Sequence, residues 1–381
     1  MEHRSLTRDA ATLDDGGMSS LTTSTAGPHP LEPTHGPLTF EELQLAARNH
    51  ALPLEILRED LTPVGSHYLL VHFDIPTVDA AAWRLRIGGA VRDPLELTLD
   101  ELRARPRRRI PVTLECAGNG RARLRPRPVS QPWLLGAVGT AAWTGTPLAP
   151  LLQEAGLAPD TAELVFTGAD RGIQGGEEHA YARSLTVVEA TRPEIMLAYE
   201  MNGLPLPPQH GHPLRLLVPG WYGMASVKWL TSIQAVTEPF GGFQQRTAYR
   251  DQRDADDPGE LITRIRVRSL LVPPGIPDFF TRRRFLSPGP VRLRGRAWSG
   301  HGPVERVQVG IDGAWTDARL DPPVGAFAWH GWWLDWEATP GDHELSCMAT
   351  DASGEVQPVE HRWNYQGMAD NAVQRVAVTV R

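Results

Sequence analysis

Cys116 ends an apolar stretch and is followed at once by small residues, so that 112–121 reads VTLECAGNGR. A thiol placed before Ala-Gly-Asn-Gly suits a backbone that bends closely around whatever the sulfur holds. Three chemistries are open to it: an inert buried cysteine, a nucleophile needing a histidine and an orienting amide brought together in space, and a soft metal donor. Nine arginines crowd 103–127 (Arg103, Arg105, Arg107, Arg108, Arg109, Arg121, Arg123, Arg125 and Arg127) in a chain of formal charge −7. Such a run forms a solvated face, or it concentrates a small oxyanion or a phosphorylated cofactor, because guanidinium grips oxyanions through two parallel hydrogen bonds. A second stretch, 195–230, places His210 and His212 among prolines, then Gly220, Gly223 and Lys228. The histidines lack the partner cluster that zinc needs. The glycines and Lys228 suit a phosphate cradle of N–H groups and one ammonium, without P-loop spacing. Lys228 is the only lysine beside 37 arginines.

The elements that must position these residues change in texture along the chain. Residues 1–36 are rich in Ser, Thr, Gly and Pro, without periodicity, and read as a mobile tail. Thr39 with Glu42, and Thr98 with Glu101, form capping-box patterns ahead of helices at 40–49 and 99–105; Thr146 opens a third at 147–155, closed by Gly156. Strands are expected at 68–73, 83–87, 109–114, 163–167 and 214–218. From 262 onward alternating strands at 263–271, 291–299, 304–311, 326–337, 343–350 and 372–380 are divided by turns with no helical pattern between them. This is the signature of an immunoglobulin-type sandwich without its cysteine pair. The charged, turn-rich segment 250–260 marks a linker.

The 381 residues, 41% hydrophobic and 22% charged, suffice for two folded domains with sizeable cores. The acidic balance argues against nucleic acid or an anionic membrane as main partner. Two cysteines are too few for a disulfide scaffold, and with neither a secretory leader nor a membrane-spanning apolar run the expectation is a cytoplasmic protein.

Taken together and in order, ECAGNGR at 115–121, GAVGTAAWTG at 136–145, LAYEMNGLPL at 197–206, HGHPLRLLVPG at 210–220, SVKWL at 226–230, RAWSG at 296–300 and WNYQG at 363–367 resemble the sulfite oxidase family of molybdenum enzymes. The resemblance implies an α+β chain: a tail at 1–36, a mixed α/β molybdopterin-binding oxidoreductase domain at 37–250, a linker at 251–261, and an immunoglobulin-like dimerisation domain at 262–381. It makes Cys116 the thiolate on molybdenum, and it places His72, Asp170, His210, Arg215, Ser226, Val227 and Lys228 against the pterin and its phosphate. Arg121 becomes a charge clamp on the substrate, Tyr249 a hydrogen-bond donor and Trp133 a pocket wall. The implied reaction is oxygen-atom transfer on a small oxyanion or sulfur compound, with electrons leaving to a separate acceptor such as a cytochrome, since no haem-attachment motif is present. Reduction of an oxyanion such as nitrate is the same chemistry reversed; a cofactor-free binding module and a Cys116 hydrolase are the readings from other classes.

Two positions depart from the family pattern. Leu70 stands where an arginine is expected on the first loop, and Gln366 where one precedes the glycine of the WN motif. Losing charge-assisted contacts of about 1.5–3 kcal/mol each should weaken a doubly charged substrate such as sulfite, unless other arginines compensate.

Overall fold

The computed structural model describes residues 33–381. The tail expected at 1–36 therefore lies mostly outside the described residues; within its described part, Thr34 exchanges backbone hydrogen bonds with Arg127 at 2.8 Å. The helices Phe40–Arg48 and Leu99–Arg103 start at Thr39 and Thr98 with both halves of the capping box made. The helix Leu148–Ala155 ends on Gly156 in the left-handed region, as expected, but Thr146 does not cap it: its hydroxyl donates to the Leu102 carbonyl instead.

Two sheets build the first part of the molecule. In one, Leu85–Gly89 lies between Leu95–Leu97 and Leu230–Val236, parallel to the latter, and Glu163–Gln174 and Glu177–Thr186 extend it as a long antiparallel pair. In the other, Arg108–Glu115, Val138–Pro147 and Met196–Met201 run antiparallel, and Arg215–Leu217 pairs with the last of these. Val138–Pro147 is buried along nearly its whole length, the pattern of a central strand covered on both faces.

The segment 68–73, expected to be a strand, is a loop tied to the rest by a single bridge between Leu69 and His50. Side chains take the backbone groups that a neighbouring strand would have paired. Asn49 Oδ1 accepts from the Val71 N–H at 2.8 Å, Lys228 Nζ donates to the Leu70 carbonyl at 2.9 Å, and Arg48 donates to the carbonyls of Val71 and His72. The segment expected as a linker is a hairpin-like excursion, not a free tether. Arg250–Asp251 pairs with Glu260–Leu261, and the Asp254 and Asp257 carboxylates accept from backbone N–H groups in the turn.

Beyond it the chain forms the anticipated sandwich. Arg268–Leu271, Gly289–Trp298, His330–Ala338 and Arg319–Leu320 make one sheet; a six-stranded sheet centred on Gln374–Val380, Gly341–Asp351 and Val304–Ile311 makes the other. Alternate residues such as Val307, Val309, Leu345, Cys347, Ala349 and Val378 fill the space between. Cys347 is fully buried there and its thiol is pushed up to about 12, which makes it an inert packing residue.

The sandwich also grips the cysteine loop. The Thr113 N–H donates to the Phe327 carbonyl at 2.8 Å, and the Ala369 N–H to the Ala117 carbonyl at 2.6 Å. Glu115 is buried between Trp298 Nε1, at 2.7 Å, and the Arg268 guanidinium, at 3.3 Å.

Candidate active site

Cys116 sits where the strand Arg108–Glu115 ends, its N–H held by the Ala137 carbonyl at 2.9 Å. Asn119 locks the turn that follows: its Oδ1 accepts from the Ala137 N–H and its Nδ2 donates to Glu115 Oε1 and the Leu135 carbonyl. Gly120 takes φ of +99°, where a Cβ would lie 2.4 Å from Asp370 Oδ2, so the turn closes only with glycine. The buried thiol is raised by desolvation, against which the Arg121 charge, the Gly118 N–H and the Trp133 indole act.

Two cavities meet at this sulfur. The inner one is lined by Cys116, His72, Asp170, His210, Arg215, Ser226, Lys228 and Tyr249 from the predicted set. The outer one is lined by Arg121 and Trp133 and shares Leu70, His72, Cys116 and Tyr249 with the first. Val227 reaches neither. Its side chain is in the core and its backbone groups are bonded to Ala225 and Leu216, so it spaces Ser226 from Lys228 without touching the cavity itself. The arginine run does not act as one field. Arg105, Arg107 and Arg127 pair with Glu154, Glu200 and Glu42, Arg108 donates to the Pro193 carbonyl, and of the nine only Arg121 lines either of these two cavities.

The inner cavity carries two cations, Arg215 and Lys228, against one carboxylate, Asp170. Arg215 donates to the carbonyls of His210 and Ser226, and Lys228 to those of Leu70 and Gln209, and neither makes an ion pair among the described residues. Burial pushes Arg215 down to about 10 and Lys228 down to about 7. Burial and the neighbouring cations hold His72 near 3 and His67 near 4, so both rings are neutral. Burial lifts the Asp170 carboxyl to about 6, with Lys228 opposing. Arg215 Nε and Asp170 Oδ1 are buried without a hydrogen-bond partner, and at Gly223 an added Cβ would stand 2.3 Å from Tyr68 Oη. An unpartnered guanidinium N–H, an unpartnered carboxyl oxygen and surplus positive charge together fit a polar guest carrying an anionic end.

Tyr249 closes the junction. It has φ of +59°, its Oη lies 2.5 Å from His72 Nε2, and its ring is faced by the Arg183 guanidinium at 5.7 Å. The left-handed backbone of a buried tyrosine is a strained arrangement of the kind that clusters at working sites. The sequence reading missed His67, Tyr68, Tyr181, Arg183 and Arg48. No spacing signal marks them, because they come from three separate segments: Arg48 from the helix Phe40–Arg48, His67 and Tyr68 from the loop that follows, and Tyr181 and Arg183 from the strand Glu177–Thr186.

Among the described residues no three His, Cys, Asp or Glu side chains converge on a metal position. A metal held by Cys116 alone must therefore bring its other donors with it, as one carried by an organic dithiolene does.

Residues 72–244 match the family described as oxidoreductase molybdopterin binding domain, and 260–381 the Mo-co oxidoreductase dimerisation domain. The mitochondrial sulfite oxidase of Homo sapiens is 36% identical over 385 aligned positions, covering 94% of this chain and 69% of the human protein. This chain belongs to the sulfite oxidase family. An NADH nitrate reductase of Solanum lycopersicum is also similar, 31% identical over 354 positions, spanning 84% of this chain and 38% of the reductase. Among solved structures, the sulfane dehydrogenase SoxCD of Paracoccus pantotrophus superposes with a TM-score of 0.75 at 25% identity, covering 91% of this chain and 93% of that one. The fold is that of the sulfite oxidase family, the cofactor is molybdenum-molybdopterin, and the protein is an oxidoreductase that transfers oxygen atoms. No helix among the described residues is long and apolar enough to cross a membrane.

Proposed function

We propose that the protein oxidises a small sulfur oxyanion at the junction of the two cavities and passes the electrons singly to a separate acceptor such as a cytochrome. The observation that carries this reading is the meeting of Cys116, Arg121 and Tyr249 where the cavities join, with Arg121 buried and without a carboxylate partner among the described residues.

In this reading Cys116 holds molybdenum, and Arg215, Lys228, His210, Ser226 and Asp170 receive the pterin and its phosphate. The bound cofactor supplies the site of oxygen-atom exchange and a two-electron reservoir. The chain's own residues do the rest. Arg121 draws the anion in and, held from several sides, orients it. Tyr249 Oη presents a donor to the reacting oxygens when His72 Nε2 supplies the proton of the hydrogen bond between the two. Trp133 and Tyr249 narrow the passage and limit water. The sandwich joins two copies in a homodimer.

Protein produced in a host that makes molybdopterin should carry one molybdenum per chain and reduce an artificial one-electron acceptor when given sulfite. Zinc or no metal in that preparation overturns the reading.

A further inference from the structure

The outer cavity differs from one built for sulfite in both charge and surface. Its deep end carries one buried cation, Arg121; Arg48 stands exposed at the rim, where its guanidinium already serves the carbonyls of Val71 and His72. Leu45, Leu70, Val71, Phe73, Ile173 and Met368 supply an apolar part of its wall, beside the polar Ser130, Gln131 and Gln174. A dianion in such a place gives up water on all sides and recovers one charge-assisted partner. A monoanion that brings its own apolar group loses less hydration and covers that wall.

We infer that the outer cavity selects organosulfinates, R–SO2⁻, whose single charge meets Arg121 and whose R group lies along Leu70, Phe73 and Ile173. The inference rests on the oxidase reading above and narrows its substrate. The sulfur of a sulfinate keeps a lone pair, which forms the new S–O bond. Overall R–SO2⁻ and H2O give R–SO3⁻, two protons and two electrons, the oxygen coming from water and the electrons going one at a time to the one-electron acceptor. Product and substrate carry the same charge, so Arg121 serves both, and release is governed by the fit of R. Each methylene of R buried on the wall should raise kcat/KM roughly fourfold until the cavity is filled.

The test uses the molybdenum-loaded enzyme with ferricyanide and compares sulfite, methanesulfinate, propanesulfinate and benzenesulfinate. The expected order of kcat/KM is benzene- and propanesulfinate above methanesulfinate, and methanesulfinate above sulfite. The exposed rim substitution Ile173→Ser should lower kcat/KM for benzenesulfinate several-fold more than for methanesulfinate, and Leu70→Arg should shift preference toward sulfite. Binding gives a readout independent of turnover: by calorimetry benzenesulfonate should bind more tightly than sulfate, with the difference reduced in Ile173→Ser. An enzyme that oxidises sulfite with higher kcat/KM than every sulfinate, or that binds sulfate more tightly than benzenesulfonate, overturns this inference and leaves the oxidase reading standing. Oxidation of no sulfur compound at all overturns both.

Discussion

Arg121 donates through Nε to the backbone carbonyl of Gln366, 3.0 Å away and 245 positions further along the chain. Its Nη1 donates to the Gln131 carbonyl and its Nη2 to Met368 Sδ, so the cation facing the outer cavity is held by main-chain and thioether groups that leave its charge unneutralised. The Gln366 side chain is turned elsewhere, toward the Thr247 carbonyl and Gln252, and lines neither cavity.

The two departures from the family pattern are therefore unequal. Leu70→Arg puts a guanidinium where both cavities meet and should lower KM for sulfite by about tenfold, an effect that shrinks at high ionic strength. Gln366→Arg should leave KM within about threefold while lowering stability by roughly 1 kcal/mol, because it breaks the bonds to Thr247 and Gln252. Steady-state kinetics at two salt concentrations, with denaturant unfolding, separate the two effects.

Cys116→Ser replaces a soft donor with a poor, hard one. Sulfite-dependent turnover should fall by at least about 100-fold, with near-normal folding because the hydroxyl occupies less space than the thiol. Elemental analysis and circular dichroism of the purified variant check both halves.

Lys228→Met removes the only ammonium from the inner cavity while keeping much of the stem that packs on Trp229, whose ring centroid lies 4.2 Å from Nζ. The retained cofactor should dissociate roughly 10- to 100-fold more readily, the worth of one charge-assisted contact to phosphate. Molybdenum and phosphate content after dialysis measure it.

Tyr249→Phe leaves the ring under Arg183 and deletes the hydroxyl that meets His72. A drop in kcat of about 10- to 100-fold with KM changed less than threefold is expected, since the donor acts on the reacting oxygens more than on capture. A rise in KM with kcat intact would assign the hydroxyl to binding.

Acid should destabilise the cofactor-free chain through its buried histidines. Burial holds His67 near 4 and His72 near 3, whereas in the unfolded chain they titrate near 6.5. Below 6.5 the unfolded state takes up protons first, so stability present above that pH is lost as pH falls toward 4, by roughly 2–3 kcal/mol for His67 alone. Asp170, raised to about 6, is protonated first in the folded state and offsets part of the loss. Urea unfolding between pH 7 and 4 should show a shallower slope in His67→Gln and a steeper one in Asp170→Asn.

The parts of the site carried by contiguous motifs were legible in the sequence. Cys116 and Arg121 share one turn, and Arg215, Ser226 and Lys228 come from one strand-and-loop unit whose order follows the chain. The loop 68–73 misled because its alternation is that of a strand, while its backbone partners, Asn49, Arg48 and Lys228, are side chains from distant segments. Arg48 escaped for the same reason: it sits in the last turn of a helix, and nothing in its neighbours says that the helix ends at a cavity rim. The sandwich was the easiest part to read, because strand alternation between two packed sheets is a local property of each strand.

The stitching of Ala117 to Ala369, and of Glu115 to Trp298 and Arg268, bears on how such enzymes diversify. A sandwich of the same shape taken from another protein could not replace this one, because the loop that presents the sulfur would lose its carbonyl partner and its carboxylate clasp at the same stroke. The two halves must change together, residue against residue. A substitution at Trp298, Arg268 or Ala369 thus acts on the cysteine loop from the far half of the chain.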